Sequence, residues 1–289
     1  MRAQNQVMRV AITLLLGGVA LVCILPLVHE LSLSLSSNEA VLGRHVGLLP
    51  VELTVNSFRE VFKDTSVLRA LIFTVVLTVS YTAIAMLLTI AAAYPLTRPE
   101  LKGKGFFMTV IVITMYFSGG ILPLYILVKT LGLLNRMWSL ILPIAISPFN
   151  LIILRTSLSS VPDSITESAL MDGASYVRIL SQIIIPLSLP ILATLSLFYA
   201  VFRWNTFQDA LFYISKSTMY TLQLKLTYIV MNNTSPEVFM QEGASSGQRV
   251  VPAAITAATV IVATAPILIV YPWLQRYFIS GVMLGSVKG

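Results

Sequence analysis

The side chains best placed to do chemistry lie in a short polar stretch at residues 167–190, between two long apolar runs. Its carboxylates, Glu167 and Asp172, flank small residues on a segment of helical character. The chain's only histidines and its one cysteine lie far earlier, at His29, His45 and Cys23. No HExxH-like spacing and no cysteine-ligated metal site is available. The sequence therefore predicts no catalytic residue and no metal, and it points to a binding role for the polar stretch.

The polar stretch has the local signals of a helical hairpin. The segment Ser164-Ile165-Thr166-Glu167 has the form of a capping box, which predicts a helix start at this point. Gly173, preceded by Asp172, can supply the left-handed turn that ends this helix. Apolar residues at helical spacing then predict a second helix, at Val177, Leu180 and Ile184.

Composition places this hairpin in a membrane protein. Of the 289 residues, 56% are hydrophobic and only 11% are charged, whereas about a quarter of the residues in soluble domains are charged. The net charge of +7 is spread over the ends of apolar runs, as membrane flanks require. Nucleic-acid binding is not expected, because it needs a clustered basic face.

Six apolar runs predict an all-α membrane protein with a single transmembrane domain over residues 1–289. The expected transmembrane helices lie at about 10–28, 67–96, 106–128, 137–154, 186–202 and 250–274, with a loop at 155–185. The first run also resembles a signal peptide, but it exceeds a typical apolar signal region, which favours a retained span. Residues 29–66 are expected to form an extramembrane loop. Ser118, Gly119, Gly120 and Pro123 are expected to break or kink the third span.

The energy source for any transport must come from elsewhere. The sequence has no GxxxxGK(S/T) phosphate loop, so the chain needs an outside motor or an ion gradient. The predicted spans carry essentially no ionisable residues, which argues against the alternative of an ion-coupled secondary carrier. A structural or signalling membrane protein is a second alternative, and it would need no coupling loop.

The polar stretch resembles the cytoplasmic loop of ABC importer permeases. The family pattern is EAA, three residues, Gly, nine residues, then I-x-L-P. Here Glu167-Ser168-Ala169 is followed at the same spacing by Gly173 and then by Ile183-Ile184-Ile185-Pro186, with Ser168 and Ile185 as conservative departures. The runs MYFSGGILPLYILVKTLGLLN, FRWN at residues 202–205 and GVMLGSVKG further resemble the shorter six-span subunit of the maltose-type carbohydrate permeases.

This resemblance implies that the single domain is a type I importer permease, which couples to a separate ATPase and carries an oligosaccharide or related glycan by alternating access. The coupling residues would be Glu167, Ser168, Ala169, Asp172, Gly173 and Ala174, with the small residues allowing close approach. Expected partners are a second permease subunit, an ATP-binding subunit dimer that holds ATP and Mg, an extracytoplasmic solute-binding protein, the glycan and membrane lipid. The loop and both termini would be cytoplasmic, at the plasma (inner) membrane of a prokaryote.

Further roles follow for other segments. The tail at 281–289 would reach the ATPase, and the loop at about 232–248 would contact the binding protein. Aromatic and amide side chains suited to a sugar predict a substrate path, and the candidates are Tyr116, Tyr125, Asn150, Trp204, Asn205 and Gln208. Tyr and Trp near span ends also form the ordinary interfacial belt. Arg203 and Asp209 would either attract a charged sugar or anchor the helix.

Overall fold

The computed structural model describes residues 2–233 and 251–286, and those ranges contain helices and no strand. The α-helices are α1 Arg2–Ser34, α2 Asn38–Leu42, α3 Asn56–Lys63, α4 Thr65–Ala93, α5 Lys104–Tyr116, α6 Ile121–Thr130, α7 Pro148–Leu158, α8 Asp163–Met171, α9 Tyr176–Ile179, α10 Ile185–Leu187, α11 Leu189–Asn205, α12 Gln208–Tyr213, α13 Leu222–Asn233 and α14 Pro252–Ser286. Short 3-10 turns lie at Pro95–Thr97, Met137–Leu140, Leu142–Ile144 and Ser217–Met219, and Leu180–Ile184 forms a π turn.

Three helices of the described chain are each long and apolar enough to cross a membrane, namely Met8–Ser34, Thr65–Thr97 and Pro252–Val270. Three further segments reach that length only as bent pairs, with bends of 112° at residues 117–120, 55° at residues 145–147 and 84° at Ser188. Counting each pair as one span gives six. The prediction of an all-α membrane protein is therefore confirmed.

Several predicted boundaries are wrong. Helix α1 continues to Ser34, well into the predicted loop, since its Pro26 does not stop it. The break expected near Gly120 in the third span is confirmed: two helices meet there at 112°, and Gly120 has a positive φ of 83°, which residues other than glycine rarely adopt. Helix α7 runs on to Leu158, past the predicted start of the loop at 155, and the segment that leads into the fifth span begins at Tyr176, before the predicted start at 186.

The chain divides into two compact units. The first comprises Met1–Arg69 and Lys225–Pro266. Its buried apolar cluster joins α2 to the start of α14, and consists of Ala40, Val41, Val46, Val251 and Ala254. The backbone N–H of Val251 donates to the Asn38 side chain at 3.2 Å. An ion pair between Lys225 and Asp64, with Nζ and Oδ2 3.7 Å apart, links the first turn of α13 to the start of α4.

The second unit comprises Ala70–Leu224 and Ile267–Gly289 and carries the candidate site. Its core is formed where α4, α7 and α11 bury their largest side chains, which include Leu77, Tyr81, Leu154, Leu195, Tyr199 and Arg203. Thr74 of α4 also accepts the backbone N–H of Leu222 at 2.8 Å, which fixes the start of α13. The prediction of one permease domain over residues 1–289 stays a prediction.

Candidate functional site

The polar stretch forms a helix, a sharp turn and a second helix, as predicted. Helix α8 ends at Met171, and Gly173 adopts a positive φ of 80°. Its N–H donates to the Leu170 carbonyl at 2.9 Å, and the N–H of Ala174 donates to the Ala169 carbonyl at 3.0 Å. This pair of bonds is the Schellman motif, which satisfies the last carbonyls of a helix. The expected role of Gly173 as a left-handed helix stop is confirmed.

The predicted capping box is wrong. Pro162 occupies the N-cap position with no side-chain cap, and α8 already begins at Asp163. Ser164 therefore lies inside the helix, where its carbonyl accepts the Ser168 hydroxyl at 2.8 Å. The side-chain cap of the hairpin is on the second helix instead, where the Ser175 hydroxyl accepts the N–H of Arg178 at 3.4 Å.

The hairpin presents an apolar tip that was not predicted from the sequence. Met171 is 89% exposed and Val177 is 75% exposed, on either side of the Gly173 turn. Among the predicted coupling residues, Glu167, Ser168, Asp172 and Gly173 are exposed and Ala174 is half-buried. Ala169 is buried against its own chain, so it does not offer a small surface to a second protein. The signal for the tip was the pair of large apolar residues flanking a glycine turn.

Two of the predicted substrate-path residues line a cavity of about 410 Å³ where α11 passes into α12. Asn205 and Gln208 lie on its wall together with Asp209, Ser139 and the aromatic rings of Phe202, Phe207, Phe212 and Tyr213. Polar groups beside aromatic faces suit a carbohydrate, which offers hydroxyls and apolar C–H faces.

A third predicted residue, Asn150, lines a neighbouring cavity of about 430 Å³. Pro143, Ile144 and Phe202 line both cavities, so the two share a wall. The structure does not place the remaining candidates on either wall. Tyr116 is 79% exposed, Trp204 is buried at 7%, and Tyr125 stacks on Tyr213 with ring centroids 6.3 Å apart.

Two buried tyrosines support the break in the fourth span beside the second cavity. Tyr81 donates to the Ile144 carbonyl at 3.0 Å, and the Tyr199 hydroxyl accepts the N–H of Ser147 at 3.1 Å. Tyr199 also shares a 2.7 Å hydrogen bond with Thr89. These bonds satisfy backbone groups that the break frees from the helix, where an unpaired polar group would be costly. Neither role was predicted from the sequence, because a tyrosine inside an apolar run gives no sign of its partner.

Arg203 and Asp209 form a buried ion pair. The Arg203 side chain is fully buried, and both of its terminal nitrogens donate to the Asp209 carboxylate. The same guanidinium donates to the carbonyls of Leu140 and Thr206, each at 3.0 Å. Of the two predicted roles, the geometry matches the anchor. The fifth span was predicted to end at residue 202, but α11 extends to Asn205. This span therefore contains the ionisable residue Arg203.

Four hydrogen bonds of Asn135 hold the end of α12 and the turn that follows it. Asn135 has a positive φ of 56°, a conformation that asparagine tolerates better than most residues. Its side-chain oxygen accepts from the N–H of Ser215 at 2.7 Å, from the Ser215 hydroxyl at 3.0 Å and from the N–H of Lys216 at 3.0 Å. Its own N–H donates to the Tyr213 carbonyl at 2.9 Å. This residue fixes the turn that follows the first cavity.

Other predictions lie partly outside the described residues. The loop at 232–248 does so except for its first two backbone positions, and the side chains of the tail at 281–289 do so entirely. Among residues 2–233 and 251–286, no group of three or more His, Cys, Asp or Glu residues is placed to hold a metal ion.

Comparison with known proteins identifies one matching family and several similar proteins. The family described as "Binding-protein-dependent transport system inner membrane component" matches residues 66–283. The chain is 41% identical to the polygalacturonan/rhamnogalacturonan transport system permease protein YtcP of Bacillus subtilis, over 93% of this chain and 94% of that protein. It is 38% identical to protein LplC of the same organism, over 96% of this chain and 93% of that protein.

A solved structure has the same fold. The structure is of a bacterial ABC transporter involved in the import of the acidic polysaccharide alginate. The matching chain is 29% identical to this one, with a TM-score of 0.87 and coverage of 95% of this chain and 98% of the other.

Proposed function

Because this chain belongs to the family of binding-protein-dependent transport system inner membrane components, we propose that it forms half of the membrane path of an ATP-driven glycan importer. Its role as an ABC transporter permease rests on that membership. The glycan, the coupling and the partners are the proposal. The observation that carries it is the exposed hairpin of α8 and α9, a surface ready to receive the motion of another subunit.

Coupling would run through the hairpin. Met171 and Val177 expose most of their large apolar side chains at its tip. Burial of such side chains releases about 1.5–3 kcal/mol each, which makes an exposed pair a strong anchor for a partner. Glu167, Ser168, Asp172 and Gly173 would surround this anchor. ATP binding would then move the hairpin and switch the spans between outward-open and inward-open states.

The cargo would be an oligosaccharide or related glycan. The relatives act in the transport of polygalacturonan, rhamnogalacturonan and alginate, as their names state. In this chain the first cavity offers amide, hydroxyl and aromatic groups, which match sugar hydroxyls and ring faces. Asn205, Gln208 and Asn150 are the proposed path residues, whereas Tyr116, Tyr125 and Trp204 remain weaker candidates.

The proposed assembly contains a second permease subunit, a dimer of ATP-binding subunits that holds ATP and Mg, and an extracytoplasmic solute-binding protein. The hairpin and both chain termini would face the cytoplasm at the inner membrane of a prokaryote. The chain itself would catalyse no reaction. The ion-coupled carrier considered from the sequence finds no support among the relatives.

The proposal is tested by Met171→Glu in the assembled transporter. Met171 is 89% exposed, so a charge there leaves folding intact, yet it would oppose burial in a partner. We expect the ATP-binding subunits to be lost on co-purification, together with ATP-dependent uptake. Leu49→Glu is the matched control, since Leu49 is 78% exposed and lies outside the candidate spans. Normal uptake in Met171→Glu, or uptake by the wild-type chain without ATP-binding subunits, would refute the proposal.

A further inference from the structure

Helix α8 is attached laterally to the end of α4. Only Thr166 and Ala169 of α8 are buried, one turn apart, so this stripe faces the chain's own core. The Thr166 hydroxyl accepts a hydrogen bond from Nη1 of Arg98 at 3.2 Å. A second attachment lies beyond the Gly173 turn, where the Tyr94 hydroxyl donates to the Tyr176 carbonyl at 3.3 Å. Both arms of the hairpin are therefore tied to one turn of chain.

That turn is held together by several local contacts. Pro95–Thr97 forms a 3-10 turn directly after α4, and proline fixes its first residue. The Thr97 hydroxyl donates to the Tyr94 carbonyl at 2.7 Å, and the Arg98 N–H donates to the Pro95 carbonyl at 3.0 Å. The Arg98 guanidinium then stacks over the Tyr94 ring, with its carbon 4.5 Å from the ring centroid, an attractive arrangement of cation and aromatic face. The guanidinium thus stacks on Tyr94 while one of its nitrogens donates to Thr166.

The connections along the chain depart from regular α-helix. On one side of α8, residues 159–162 leave the helical path after α7. On the other side, the π turn at Leu180–Ile184 and the 84° bend at Ser188 separate the hairpin from α11. At the π turn the Ile185 N–H donates to the Leu180 carbonyl, five residues back, so the regular α-helical pattern is lost there, and departures of this kind are common points of helix bending. Bending at these points would take up part of any movement of the hairpin before it reached α7 or α11.

We infer that Arg98 and Tyr94 form a lateral link that carries the movement of the α8–α9 hairpin directly into α4. This inference rests on the proposed function and adds positioning residues to it. Arg98 acts through Thr166 and does not need to touch the glycan or ATP. Lysine would not replace it, since an ammonium lacks the planar fork that stacks and donates at once.

The test measures glycan uptake and ATP hydrolysis in the same reconstituted transporter. Arg98→Ala is expected to keep ATP hydrolysis while raising the ATP consumed per glycan taken up by roughly twofold to thirtyfold, the range for cutting a coupling contact. Arg98→Lys is also expected to raise the ATP consumed per glycan taken up. Tyr94→Phe keeps the stacked ring and loses only the bond to Tyr176, so its effect is expected to be smaller.

The control is Lys102→Ala, which removes a charge from an exposed side chain in the same segment and is expected to leave the ratio unchanged. If Arg98→Ala fails to assemble, Arg98→Lys decides the question. An unchanged ratio in the deciding variant, or an equal fall in uptake and hydrolysis, overturns the link. Failure of the proposed function is distinct, because the wild-type transporter would then show no ATP-dependent uptake at all.

Discussion

The Arg203–Asp209 pair gives a prediction whose magnitude follows from its burial. In Asp209→Ala the guanidinium, which is 1% exposed, keeps only the carbonyls of Leu140 and Thr206 as partners. Removing one member of a buried pair costs about 3–5 kcal/mol, because the other charge is left uncompensated. The Asp209 side chain is 15% exposed, so water can reach the gap and the lower value applies. We expect a loss of about 3 kcal/mol.

The assay is the apparent Tm of the purified chain, followed as the loss of its monodisperse state in detergent. A loss of this size corresponds to a fall of about 6–12 °C. The double variant Arg203→Met/Asp209→Ala removes the stranded charge as well, so it is expected to melt higher than Asp209→Ala alone. Glu60→Ala is the control, since its pair with Lys63 is exposed and such a pair contributes at most about 1 kcal/mol. If the double variant melts below the single variant, the stranded-charge reasoning is wrong.

The remaining predictions concern three local structures. Gly173→Ala is expected to lower hairpin stability more than Gly173→Asn, because the positive φ at this position suits asparagine better than alanine, and amide exchange at the turn measures this. Tyr199→Phe leaves the Ser147 N–H without its acceptor, so the free energy of unfolding, followed through the Tm, is expected to fall by about 1–3 kcal/mol. Burial raises the pKa of Asp64, but bonds from Ser66 and the Lys225 charge outweigh it and hold that pKa below 3.8. Asp64→Asn is therefore expected to be less stable than wild type at neutral pH, and equal melting there would refute this. The difference should shrink as the pH falls below 3.8 through the lowered pKa, since protonation removes the charge that the native state favours.

Local turn chemistry and hydrophobicity were predictable from the sequence. Gly173 sits where a helix must stop, and its lack of a Cβ makes the left-handed conformation available. The long apolar runs predicted six spans because membrane thickness sets their length. The capping box failed since the helix starts one residue before Ser164, at a place that the motif alone does not fix.

Contacts between distant segments were not predictable. The bond of Arg98 to Thr166 joins residues 68 positions apart, and that of Tyr199 to Thr89 joins residues 110 apart. Ala169 was expected on the outer surface because it is small, yet tertiary packing turned it inward. The fifth span was predicted to end at residue 202, just before Arg203, and the bonds of Arg203 to Asp209 and to two backbone carbonyls explain how this arginine is accommodated in α11.

The bent spans have a consequence for the bilayer itself. The unbroken helix α4, Thr65–Ala93, comprises 29 residues. At ~1.5 Å per residue it is about 44 Å long, well beyond a hydrocarbon core of about 30 Å. It can match a thinner or thicker membrane only by tilting, whereas a segment with a bend of 112° can instead open or close its angle. Acyl chain length would thus act on the two kinds of segment differently.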